Sequence, residues 1–241
     1  MLKATEKGAA DPLAWAALIG QEAGIFAYGG DIGLGADTLK HIETFESVDP
    51  DNALPLFYRA KVYFHQGKLK EAEEEMVRTQ EKTRFLTYDT KMRKALIRAA
   101  ESLGYSKFSA RYYALSISTG ITSFPEFARN IIAAKEVEDE AVRAILRLAR
   151  QMEGQSRLDI ERLVSYSIQF SALERLGAYE SIGALNAKVE AFREKKKLMS
   201  GDAFTNIPEE RWIQFYDEVL ESGEQEALER LYSEFGKQAH Q

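Results

Sequence analysis

The chain has 241 residues, 45% hydrophobic and 29% charged, with 16 glycines, 5 prolines and no cysteine. This mix excludes collagen-like, disulfide-stapled and wholly disordered classes and leaves enough length for a packed core. A net charge of −6 argues against general attraction to nucleic acid, while zero cysteines and three histidines (His41, His65, His240) remove thiol chemistry and restrict imidazole chemistry.

The first residues carry positive charge but no apolar run of signal-peptide length, and Asp11-Pro12 breaks the apolar character of the next segment. A cytoplasmic protein is expected, or a periplasmic one were a leader removed. No stretch approaches the roughly 18 apolar residues of a membrane span, so no membrane partner is expected.

Apolar residues then recur at spacings of three and four throughout, as in Leu54, Phe57, Tyr58 and Val62. The pattern predicts an all-α chain. Tight breaks fall at Gly29-Gly30, Gly67, Gly104, Glu138-Asp139, Gly177 and Gly223, at separations of about 37, 37, 34, 39 and 46 residues. That period predicts six antiparallel helical hairpins, over 12–48, 51–84, 88–119, 124–152, 157–199 and 207–238, stacked as a single α-solenoid spanning 1–241.

The first hairpin contains the only Gly-rich loop, Gly29–Gly35. No strand feeds it and no Gly-Lys-Ser/Thr occurs after it, so it reads as a turn between helices. A small-ligand or enzymatic site near this loop is the alternative reading. Asp49-Pro50-Asp51 opens the second hairpin, Thr122-Ser123-Phe124-Pro125 the fourth and Asn206-Ile207-Pro208 the sixth; in each, a capping side chain or first-turn proline suits a helix start. The fourth break has no glycine, and Val137-Glu138-Asp139-Glu140 is compatible with one long helix. In the sixth hairpin, Leu228, Leu231, Tyr232 and Phe235 form one stripe and glutamates fill the rest, as a terminal cap requires.

The second hairpin, with Leu56, Arg59-Ala60, Tyr63, Gly67, Ala72 and Met76, resembles a tetratricopeptide repeat. Small Ala60 and Ala72 stand where two helices would touch, and Gly67 permits the turn. It departs from the family pattern in Leu56 for Trp, Arg59 for Leu and Arg84 for the closing Pro. The resemblance implies a right-handed superhelix whose concave face is lined by the first helix of each hairpin. It also implies a role among scaffolds, such as chaperones or assembly factors of bacterial secretion systems. By the offsets within each hairpin, Phe57, Lys61 and Phe64, with Lys94 and Arg98, are the expected partner-binding residues, forming a basic strip beside an aromatic wall. The occupant would be an acidic and hydrophobic peptide.

Nine basic residues against three acidic ones lie between Arg78 and Arg111, and ten acids against three bases from Asp202 onward. Pairing of these spans between two copies predicts a homo-oligomer as a further reading. The glutamate run Glu71, Glu73, Glu74, Glu75 reads as a solvated face. No nucleophile elbow or His-Glu-x-x-His helix occurs, and no metal or cofactor is expected. A non-enzymatic protein-binding scaffold is the function these features favour.

Overall fold

A computed structural model describes residues 9–26, 36–117, 124–198, 204 and 207–235. These residues form twelve α-helices: α1 (Pro12–Phe26), α2 (Ala36–Val48), α3 (Leu54–His65), α4 (Leu69–Arg78), α5 (Asp89–Ser102), α6 (Lys107–Ser116), α7 (Phe124–Ala133), α8 (Asp139–Gln155), α9 (Asp159–Arg175), α10 (Tyr179–Leu198), α11 (Glu209–Ser222) and α12 (Glu224–Phe235). The only strand-like pairing among them is one isolated bridge, Asn52 with Arg84. The Gly29-Gly30 break and the Gly29–Gly35 loop lie outside the described residues.

Three of the predicted turns share one chemistry. At Gly67, Gly104 and Gly177 the backbone adopts φ of 72°, 89° and 66°. In each, the N–H after the glycine reaches back to close the helix end: Lys68 to Tyr63 O at 2.9 Å, Tyr105 to Ala100 O at 3.1 Å, Ala178 to Leu173 O at 3.0 Å. This is the glycine-terminated closure that satisfies otherwise orphaned carbonyls. The fourth break is real although it lacks a glycine. α7 ends at Ala133, and extended Glu138 starts α8 with its N–H donating to Glu73 Oε1 at 2.7 Å.

Packing does not keep to chain order. α3 is the centre of the main core, with every residue from Leu54 to Val62 buried. α2 and α4 flank it, while Phe124 and Phe127 of α7 meet the Phe57 ring edge-on at 4.9 and 5.4 Å. α8 is apolar on most sides, burying Ala141, Val142, Ala144, Ile145, Leu146, Leu148, Ala149 and Met152, so one neighbour cannot cover it. It packs chiefly on α9 and also on α4, where Arg147 donates to the carbonyls of Thr79, Gln80 and Lys82. A guanidinium there gathers carbonyls of the turn that follows α4.

The hairpin α5–α6 is therefore not sandwiched between its sequence neighbours. α6 packs on α11, and two smaller apolar clusters form there, around Ile97, Ala110, Ala114 and Leu220 and around Phe215, Val219, Ala227 and Leu231. Arg93 ties this part to the main core. Its guanidinium donates to Ala114 O, Leu115 O and Ile117 O at 2.7–3.0 Å and to Glu161 of α9 at 3.2 Å.

Two buried polar clusters fix the second hairpin. Asn52, fully buried, donates to Asp49 Oδ2 and Leu86 O at 2.9 Å and accepts from the N–H groups of Leu54 and Leu86. Tyr88 donates to Asp49 at 2.5 Å and Arg84 pairs with the same carboxylate. In the second cluster Arg59 reaches Glu46 at 2.8 Å and Glu75 at 3.4 Å, and Arg78 meets Glu75 at 2.7 Å. Glu75 is thus a buried, paired member of the glutamate run and not part of a solvated face; buried charged groups require such partners.

Candidate partner-docking surface

The structure separates the expected binding residues. Phe57 and Lys61 are 2% and 3% exposed, because α7 lies over the face of α3 that a regular solenoid would leave as a concave wall. Both are core positions, so neither presents a side chain to a partner. Burial pushes the Lys61 ammonium down to about 8, opposed by the charge of Glu126 on α7. Phe64 is half-buried with its ring 5.6 Å from Phe127. Lys94 and Arg98 are exposed on α5, beside a depression of about 280 Å³ shared with Ile97, Glu101, Arg111 and α11 residues Asp217, Leu220 and Glu221. No continuous basic strip joins them to α3.

Much of the basic span is used within the chain. Arg78 and Lys82 pair with Glu46, Arg84 with Asp49, and Arg111 with both Glu101 at 2.7 Å and Asp217 at 2.8 Å. The acidic end thus meets the basic span inside one molecule, through Arg111 and Asp217. The Nδ1–H of His41 donates to Glu22 Oε1 at 3.0 Å and joins α1 to α2.

A different surface emerges where α6, α9 and α11 converge. A groove of about 330 Å³ is lined by Tyr112, Leu115, Leu158, Ile160, Phe215, Tyr216 and Val219. Its base is buried, with Val219 1% and Phe215 8% exposed, whereas Tyr112 and Ile160 on its rim are 57% and 63% exposed. The rings form a connected set: Phe108 lies parallel to Tyr112 at 6.2 Å, both meet Tyr216 at 5.7 and 6.4 Å, and Tyr216 stacks on Trp212 at 6.2 Å. Tyr113, Leu103 and Tyr105 of the same hairpin are also exposed.

One end of the groove is polar. Asp159 pairs with Lys196 at 3.2 Å, and its N–H donates to Glu224 Oε2 at 2.8 Å. Burial holds the Glu224 carboxyl above the usual range. The entry to α9 is set by Glu161, whose Oε2 accepts from the N–H groups of Arg157 and Leu158 while its Oε1 takes Arg93. Acidic residues here satisfy first-turn donors.

Aromatic groups such as Phe108/Tyr112/Tyr113 and Trp212/Phe215/Tyr216 in a helical chain read by default as core. The signal against that assignment is in α6, where Ala110 and Ala114 are fully buried against α5. Helical geometry then turns Tyr112 about half a turn away from that contact. Among the described residues no group of three or more His, Asp or Glu is placed to hold a metal, and no described helix is long and apolar enough to cross a membrane. Compared with known proteins, the chain matches no family model, no curated protein and no solved structure.

Proposed function

We propose that the chain is a non-enzymatic protein-binding module that seats an apolar segment of a partner protein in the groove between α6, α9 and α11. The observation that carries this reading is the combination of a buried apolar base with large exposed rim residues, Tyr112 and Ile160. Aromatic anchors meeting a desolvated pocket are the usual source of interface energy. Lys196, half-exposed at the polar end with one carboxylate partner, suits a segment that carries an acid beside its apolar side chains.

In the same proposal the 51–84 hairpin is a tetratricopeptide-like unit and the others are divergent copies within a helical-hairpin array. Support comes from Ala60 and Ala72, both fully buried, from the Gly67 closure and from the recurrence of that closure at Gly104 and Gly177. In this reading the docking site lies where α6, the second helix of the third hairpin, meets α9 and α11, the first helices of the fifth and sixth.

Selection from a random peptide library displayed on phage tests the proposal. Enriched peptides are expected to carry at least two large apolar side chains and to bind Ile160→Glu about tenfold or more weakly, since burying one such side chain is worth roughly 1.5–3 kcal/mol. Enriched peptides that bind Ile160→Glu and Tyr112→Ser as well as the parent chain contradict it.

A further inference from the structure

A second depression lies between α8, α9 and α10 and gathers positive charge. It measures about 590 Å³ and is lined by Arg150, Glu153 and Gly154 of α8, Arg162, Tyr166 and Gln169 of α9, and Lys188 of α10. Three cations therefore surround one carboxylate.

That carboxylate is already occupied. Glu153 Oε1 takes the Lys188 ammonium at 2.7 Å and its Oε2 accepts from Gln169 Nε2 at 3.0 Å. These partners hold the Glu153 carboxyl below its ordinary range against the opposing effect of burial. Gln169, 4% exposed, also donates to Ser165 Oγ, which in turn donates to Ala149 O at 2.8 Å. The base of the depression is thus rigidly hydrogen-bonded.

The two guanidinium groups differ. Arg162 is held in place by Gln225 at 2.8 Å and by the face of Phe192 at 6.0 Å, makes no ion pair with Glu153, and adds its charge to the field that keeps that carboxyl low. Arg150 is exposed and makes no hydrogen bond or ion pair with any described residue. Two forks of donors and an ammonium beside a single, already satisfied carboxylate leave an excess of two positive charges, and the guanidinium fork matches a tetrahedral oxyanion well. The volume exceeds what inorganic phosphate alone fills.

We propose that the depression between α8, α9 and α10 is a binding site for the phosphoryl group of a small phosphomonoester, with Arg150 and Arg162 as its principal donors. The site is separate from the aromatic groove and does not depend on it.

Isothermal titration calorimetry on the full chain, at constant ionic strength with chloride as the balancing ion, provides the test. Inorganic phosphate and glycerol 2-phosphate are the two probes. Both are expected to bind with one site, the ester more tightly because it fills more of the depression. Arg150→Gln, which breaks no contact within the fold, is expected to weaken both about tenfold or more, corresponding to loss of one charge-assisted contact. Lys94→Gln, an equal charge change on α5, is expected to leave both unchanged. Absence of binding by either probe, equal losses in the two variants, or an unaffected Arg150→Gln overturns the proposal; tighter binding of inorganic phosphate than of the ester overturns the assignment to a phosphomonoester.

Discussion

Replacing Lys61 with methionine should stabilise the protein, and the gain should depend on pH in a defined way. Lys61 lies on α3 under α7, 3% exposed, with its ammonium shifted from 10.5 to about 8 by burial. That difference corresponds to about 3 kcal/mol by which the fold disfavours the charged form. Below pH 8 the side chain is protonated in both the folded and unfolded chain, so the whole penalty stands. Between pH 8 and 10.5 the folded protein has released the proton while the unfolded chain still binds it, so stability rises with pH; above 10.5 the penalty is gone. Methionine keeps most of the aliphatic stem and removes the titration. Urea unfolding of parent and Lys61→Met from pH 7 to 10.5 should therefore show an advantage of about 3 kcal/mol for the variant at neutral pH, shrinking toward zero at the alkaline end. Glu126, left without that neighbour, is exposed and costs little. A difference between the two proteins that does not change with pH, or a variant less stable at pH 7, refutes the reasoning.

Asn52→Ala should cost about 2–4 kcal/mol in the same assay, because the side chain makes four hydrogen bonds in a fully buried site and its loss leaves Leu86 and Leu54 backbone groups unpaired. Arg93→Met should cost about 3–5 kcal/mol, since it strips the α6 end of its donor and leaves Glu161 without its cation; thermal melts should show the loss. Glycine substitutions should split by sign. Gly223→Ala should destabilise by about 1–3 kcal/mol, because φ 101° and ψ 159° suit only glycine, whereas Gly183→Ala, mid-helix in α10 with open space around the new methyl, should stabilise by about 0.5–1 kcal/mol. Differential scanning calorimetry of the two variants compares them directly.

Local structure is largely legible in the sequence. The glycines at 67, 104, 177 and 223 mark helix ends because left-handed or extended positive-φ backbone is cheap only for glycine, and each stands at a turn. Pro125 and Pro208 also stand at helix beginnings, whereas Asp49 follows the end of α2 and Asn52 receives the first N–H of α3. The neighbour relations of the hairpins are not legible, since a period counts units and does not say which units touch. One clue to the covering of α3 is present: Leu54-Pro55-Leu56-Phe57-Tyr58 with Ala60, Val62 and Phe64 beyond it leaves little polar face, and a helix apolar on all sides needs partners on all sides. The repeat analogy makes Phe57 a groove wall, whereas Phe124 and Phe127, far along the chain, supply the contact that hides it. The docking groove escapes the sequence for a related reason. Its residues come from 112–116, 158–160, 196, 215–219 and 224, stretches that no local pattern associates.

The most direct test of the α6–α9–α11 groove as the docking site is site-specific photocrosslinking in cells. A benzophenone side chain placed at Tyr112 or Ile160, and at exposed Glu180 as the control, reports what lies against each position. The account predicts one discrete adduct, common to positions 112 and 160 and absent at 180, whose crosslinked peptide from the partner carries large apolar side chains beside an acid. Adducts equal at all three positions, or adducts only with a second copy of this chain, contradict it.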